Sequence, residues 1–342
     1  FMVVTFLIYT VLIICCVYAF SAKKNLYDSF FSRSQTGILK GVGILTVLWA
    51  HSGMNYGIGG IQWIACIGVA LFLIFSGYGL TESYKKNGLN KFWTKRIIGV
   101  LIPFYFVYIV ATFIMGNLSL KRLINIVLMQ NVNWYIQYIV ISYIIFWVSS
   151  VIAEHYSLNL MQKFYIVLAL FIVWFFIDTL FFAMKADPFL RARQMLSFPL
   201  GILISNQKNK AMKIFKNRNC SKYFIMLGAL GFFTFALTQL HFLKAAPYIV
   251  LNTVSLFTVL PLTLFVLWLS VRYTVLFNSK FLTLIGDISY ELYLIQAFSR
   301  NIVEPGSLVS LIYFFIFTIA IGFIAKKVIN NFFKKPLLRV FL

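Results

Sequence analysis

Lys40 and His51 stand eleven positions apart in one apolar stretch, Lys40-Gly41-Val42-Gly43-Ile44-Leu45-Thr46-Val47-Leu48-Trp49-Ala50-His51. In a helix that spacing is about three turns, so both side chains lie on nearly one face, roughly 16 Å apart. Ionisable groups are costly in hydrocarbon, and where they occur in such a stretch they mark a candidate site. An apolar surrounding favours the uncharged imidazole, which can take a proton as general base or attack as nucleophile. The bland reading of His51 is a side chain satisfied by a hydrogen bond between helices. Lys40 can bind a phosphate, polarise a carbonyl or snorkel to headgroups, and position alone leaves these roles open. His155, beside Glu154, and His241 are expected at interfaces.

Other chemistry is sparse. There are only eight acidic residues, which leaves little for paired-carboxylate catalysis or an ion-coupled proton relay. Asp287 and Glu291 are four apart, with Asp287 expected to cap the start of a helix. No Ser/His/Asp order, phosphate-cradling glycine loop or metal motif is present. The cysteines, Cys15, Cys16, Cys66 and Cys220, lack metal-ligand spacing and are expected to pack within the membrane.

The elements that must position these residues follow from composition. Of 342 residues, 61% are hydrophobic and 11% charged, and the mean hydropathy is +0.90. Repeated apolar runs of about 20 residues predict an all-α, polytopic integral membrane protein. Spans are expected near 2–20, 38–57, 61–82, 97–116, 133–151, 163–183, 192–206, 223–243, 247–270, 281–301 and 307–326. The seventh is short and polar, and 121–130 is expected to form a surface helix. Residues 2–20 lack a charged start and a cleavage site and read as a retained span. No repeat or attached soluble domain is visible, so 1–342 is expected to be a single transmembrane domain.

The net charge of +22 is the bias of basic loops toward the cytoplasm rather than a nucleic-acid footprint. With Lys23, Lys24 and Arg33 placed inside, the inner loops also hold the cations at 85–96, Lys163, those at 208–222, Arg272, Lys280 and the basic tail. Lys121, Arg122, Lys185, Arg191, Arg193 and Lys244 fall outside. This orientation puts the N-terminus out and the C-terminus in. Lys40 is then near the inner end of its helix and His51 toward the outer end.

Five segments then matter in order: Lys40 to His51; Phe75-Ser76-Gly77-Tyr78; the basic entry at Arg96 leading to Pro103; Trp134-Tyr135; and Gly286-Asp287-Ile288-Ser289-Tyr290-Glu291-Leu292-Tyr293-Leu294-Ile295. Together they resemble membrane-bound acyltransferase family 3, the bacterial O-acyltransferases of surface glycans, across about residues 33–325. The family pattern has arginine where Lys40 stands; lysine keeps the charge but loses the bidentate fork. A second arginine frequent near Gly99 is missing, and the last motif commonly ends in histidine where this chain has Gln296.

The resemblance implies a ten-helix core, with residues 1–20 as an added N-terminal helix, so about eleven transmembrane helices in all. It implies transfer of an acyl group, most simply acetyl, from acetyl-CoA or another acyl-CoA to a hydroxyl of a cell-surface glycan or lipid-linked sugar, in a bacterial cytoplasmic membrane. His51 is the expected catalytic residue. Lys40 and Arg96 are the expected donor-binding residues, and the inner basic loops suit a phosphate-bearing donor. Trp134, Tyr135, Gln137, Tyr290 and Gln296 are expected acceptor or tunnel residues, with packing as their plain alternative. Membrane lipid and the acceptor are the expected partners, with no nucleic acid and no metal. Two other readings stay open: a transporter or flippase for a lipid-linked sugar, which needs several buried charges on broken helices, and a non-catalytic family member.

Overall fold

The computed structural model describes residues 2–22, 26, 30–54, 56–130, 132–182 and 190–341. Lys23, Lys24 and Lys185, used above for orientation, lie outside these residues. The described chain is helical, with one isolated bridge between Ser21 and Ser279. In order the principal helices are α1 (Met2–Ala19), α2 (Arg33–Ser52), α3 (Ile64–Asn87), α4 (Phe92–Ile114), α5 (Leu120–Val127), α6 (Trp134–His155) and α7 (Leu160–Phe181). They continue with α8 (Ser197–Asn206), α9 (Lys208–Lys216), α10 (Ser221–Gln239), α11 (Tyr248–Arg272), α12 (Lys280–Asp287), α13 (Ser289–Ser299) and α14 (Leu308–Ile329). Among the described residues, eight helices are long and apolar enough to cross a membrane: those that contain α1, α3, α4, α6, α7, α10, α11 and α14.

The other three expected spans take different forms. The 38–57 stretch is a helix of 20 residues that starts earlier, at Arg33, because the Ser32 hydroxyl accepts the Gln35 N–H as an N-cap. Its polar first turn and Lys40 dilute its apolar character. The 192–206 stretch is interrupted by turns at 193–196 and continues as a helix from Ser197. Ten residues rise about 15 Å, half the thickness of a hydrocarbon core. The 281–301 stretch breaks at Ile288 into α12 and α13.

That break corrects the expected role of Asp287. It ends α12 instead of capping α13, and no side chain caps the start of α13. Its carboxylate pairs with Lys326 Nζ at 2.6 Å, and the same ammonium donates to the Asp287 carbonyl. A cation therefore sits at the carbonyl end of α12, where the helix dipole favours it. The expected surface helix forms as α5, capped by Ser119.

The chain packs as two compact units. The first contains residues 1–65, 90–133 and 278–342. Here α2 and α12 cross at backbone contact: a Cβ on Gly41 would strike the Leu282 carbonyl, and one on Gly286 the Gly37 carbonyl. Small residues at such crossings let helices approach closely where no hydrophobic effect drives them together. On another side of α2, α1 packs Phe6 against Trp49 with tilted rings 5.2 Å apart, and Trp49 Nε1 donates to Thr10 Oγ1 at 2.9 Å.

The second unit contains residues 66–89 and 134–277. It repeats the device: Gly77 meets the Phe198 carbonyl, and Gly201 the Ile74 carbonyl, so α3 and α8 cross backbone to backbone. Three cations assigned to loops by sequence are engaged inside this unit. Lys163 is buried in α7, with Nζ 3.2 Å from the Tyr84 ring centroid and 3.4 Å from Ser150 Oγ. Arg191 bonds both Asp178 carboxylate oxygens, at 2.8 and 3.1 Å. Arg193 is buried and donates to Cys66 Sγ at 3.2 Å, so this cysteine has a polar partner beyond simple packing.

Candidate active site

Within the first unit, His51 occupies the last turn of α2. Its Nδ1 is 2.5 Å from Gln296 Oε1 on α13, and Gln296 is only 3% exposed. An amide oxygen can only accept, so Nδ1 carries the proton, and in the neutral ring Nε2 keeps its lone pair. The partner fixes ring orientation and tautomer without adding charge. The Gln62 amide donates to the Ala50 carbonyl at 3.1 Å, and the Gly53 N–H returns to Trp49, so the helix end around His51 is held from both directions.

The loop beyond is anchored too. Tyr56, fully buried, donates to the Glu304 carbonyl at 2.7 Å. Burial pushes its hydroxyl above the ordinary value, which keeps it a neutral donor. Lys40 lies toward the other end of α2, within electrostatic reach of Arg33, Asp287 and Lys326. The structure thus places His51 and Lys40 on one helix without direct contact, and brings His51 instead to Gln296.

Arg96 is in the first turns of α4, 5.9 Å above the Phe92 ring. The helix then widens into a π turn over Ile97–Leu101, which contains Gly99. Such turns shift the hydrogen-bond register, and the Tyr290 hydroxyl bonds the Val100 carbonyl there at 2.8 Å. Tyr290 therefore joins α13 to α4.

Several polar groups on or around α13 were not singled out by sequence. Tyr293 donates to Asn133 Oδ1 at 3.2 Å, and Asn133 Nδ2 reaches the Tyr108 hydroxyl at 3.0 Å. Tyr293 belongs to the last motif segment and Asn133 directly precedes Trp134-Tyr135, and that was the available signal. Arg300, just past α13, is within electrostatic reach of His51 and Tyr108. It lines a cavity of about 430 Å³ with Lys121, Arg122, Asn125 and Asn301.

Trp134, Tyr135 and Gln137 belong to the second unit. Trp134 packs edge-on to Tyr135 and Tyr138 at 6.1 and 6.5 Å. Gln137 Oε1 accepts from Arg191 at 3.4 Å, which ties it to the buried Asp178–Arg191 pair. A separate opening of about 500 Å³ in this unit is lined by Glu82, Lys85, Lys208 and Lys210. Its Lys85 ammonium contacts Glu82 at 2.8 Å and Ser205 Oγ at 2.9 Å. A hydrogen bond with the Tyr78 hydroxyl holds the Lys208 ammonium above its ordinary value, so it stays cationic throughout the physiological range.

What the first unit offers chemically is a histidine with a fixed tautomer and a free nitrogen, able to accept a proton or an acyl group. A family model described as an acyltransferase domain matches residues 37–327. The matched stretch contains every expected site residue and leaves α1 outside. No curated protein and no solved structure matches the chain.

Proposed function

The chain belongs to acyltransferase family 3, and from that membership we propose that it moves an acyl group, most simply acetyl, from a coenzyme A thioester to a hydroxyl of a cell-surface glycan or lipid-linked sugar. The observation that carries the residue assignment is the bond from His51 to Gln296. It joins the first and last motif segments, 245 residues apart, at an imidazole whose Nε2 is left with a lone pair.

In this reading Nε2 takes the proton of the acceptor hydroxyl as the oxygen attacks the thioester carbonyl. The carbon–oxygen bond forms, the carbon–sulfur bond breaks, and the imidazolium returns its proton to the departing thiolate. Product ester and free thiol balance the step. An acyl-imidazole route uses the same nitrogen in two transfers. Lys40 and Arg96 hold the anionic donor, Tyr290 and Gln296 set the acceptor side of α13, and Trp134, Tyr135 and Gln137 keep their expected acceptor or tunnel role. We read both compact units as parts of one domain, a reading supported by the family match that runs through both.

We place the protein in the bacterial cytoplasmic membrane with the N-terminus out and the C-terminus in, and with a ten-helix core plus α1. The support is the basic-loop asymmetry. Lys40 then faces the cytoplasmic donor and His51 the outer acceptor.

The test is incubation of purified protein in nanodiscs with labelled acetyl-coenzyme A. Hydrolysis or covalent labelling that disappears in His51→Ala supports the enzyme. Equal turnover in that variant removes His51 from the chemistry, and no turnover in the wild type with any acceptor returns the transporter and non-catalytic readings.

A further inference from the structure

Two cavities in the first unit adjoin and share Met115 and Phe298 in their walls. One is the 430 Å³ cavity that brings together Lys121, Arg122 and Arg300, with Asn125 and Asn301. The other is an apolar groove of about 280 Å³ between α4, α13 and α14, lined by Val110, Ile114, Ile295 and Ile321 among others. Among the described residues no ion pair engages the three cations. Two of the three helices that form the apolar groove, α4 and α14, are long and apolar enough to cross a membrane. A cationic head pocket running into a hydrocarbon groove is the complement of an anionic lipid.

We propose that the two cavities hold a polyprenyl diphosphate-linked glycan, the diphosphate on Lys121, Arg122 and Arg300 and the isoprenoid chain in the groove. Binding of the lipid diphosphate stands on this geometry alone; its role as acyl acceptor rests on the proposed function. Three cations suit a ligand with more than one negative charge. A single narrow groove suits one chain, whereas a glycerophospholipid brings two chains and, in the commonest anionic kinds, one charge. Both cavity sizes are those of small-ligand sites, at or near the usual range of about 300–1,000 Å³.

The position relative to His51 gives the site its meaning. Ala297 lines the cationic cavity and directly follows Gln296, the partner of His51. At 1.5 Å per residue, Gln296 and Arg300 are about 6 Å apart along the helix. A sugar joined to a diphosphate at Arg300 has hydroxyls within reach of the imidazole.

The experiment uses the full chain in phosphatidylcholine nanodiscs and tritiated geranylgeranyl diphosphate as probe. Saturable binding is expected. Arg300→Gln, and Lys121→Gln with Arg122→Gln, should each weaken it about tenfold, the effect of losing a charge-assisted bond. Arg300→Lys should retain most of it, and Val110→Trp, which fills the groove, should weaken it with the charges intact. Excess phosphatidylglycerol should not displace the probe. Wild-type binding in variants that melt like the wild type, or displacement by phosphatidylglycerol as effective as by unlabelled probe, overturns the proposal. Acetyl-coenzyme A hydrolysis is measured in the same samples. His51→Ala should lose hydrolysis and keep the probe. Specific probe binding by a protein that never turns over the thioester sustains the lipid site and removes the acyl-transfer reading; His51-dependent turnover without probe binding does the reverse.

Discussion

At the residue scale, the question is what His51 gains from Gln296. The amide orients the ring without the charge a carboxylate would bring, so its contribution is that of one neutral hydrogen bond, about 0.5–1.5 kcal/mol. Gln296→Leu should therefore lower kcat up to about tenfold with KM for the thioester little changed. His51→Ala should abolish transfer in protein that still inserts and folds; a retained wild-type rate would remove His51 from the chemistry. Lys40→Ala should raise KM for the thioester with a smaller effect on kcat, and unchanged thioester affinity would assign Lys40 to headgroup contact. His51 and Gln296 were both visible as residues in the sequence. Their pairing was not, because nothing local in a chain encodes a contact across 245 positions. Arg300 stands at the end of the expected 281–301 span, where nothing local marks it as a ligand site, and its cavity depends on α5, which lies far away in sequence.

At the element scale, two features hold α13 where the site needs it. The first is the glycine crossing of α2 and α12. Gly286→Leu forces a side chain into the Gly37 backbone and should cost about 3 kcal/mol or more, the upper end of overpacking. A melting temperature unchanged from wild type would mean the helices can separate freely there. The second is the Tyr290 bond to the π turn of α4. Tyr290→Phe leaves the Val100 carbonyl with one partner fewer and should cost about 1 kcal/mol, read as a small drop in melting temperature. Apolar run length made most helices legible in the sequence, since a continuous span needs little else. The break at Ile288 was legible only as an expected helix start at Asp287, because Leu284–Ile295 carries no proline and otherwise reads as one apolar run with polar points. Lys326, from α14, holds the end of α12 at that break, and a tertiary partner of this kind leaves no local mark.

At the scale of the whole molecule, orientation is the property with the widest consequence, since it decides which face meets the donor. On a background lacking Cys15, Cys16, Cys66 and Cys220, an impermeant thiol reagent should label Asn117→Cys from outside the cell and Lys216→Cys only after the membrane is opened. The reverse pattern would invert the assignment of Lys40 and His51 to inner and outer sides. Loop cations give this expectation, and the structure narrows which of them count. Lys163, Arg191 and Arg193 are engaged within the second unit, so their sign reports packing and not sidedness. A sequence shows charge without showing burial, and that is why these three read as loop residues.

The joint at Ile288 also bears on motion. Hinges form where a few residues at the ends of elements absorb the backbone change. Here α12 is fixed to α2 through Gly41 and Gly286, while α13 beyond the joint carries Gln296 and leads into Arg300. A turn of α13 at this joint would make the short helix the fixed leaf and the longer one the swinging leaf, and it would have to release the Tyr290–Val100 bond. Rotation about Ile288 would open and close the His51–Gln296 contact without disturbing the glycine crossing. Spin labels on α2 and near the end of α13 should report two distances in the resting protein and one when both substrates are bound, while labels on α2 and α12 keep a single distance throughout.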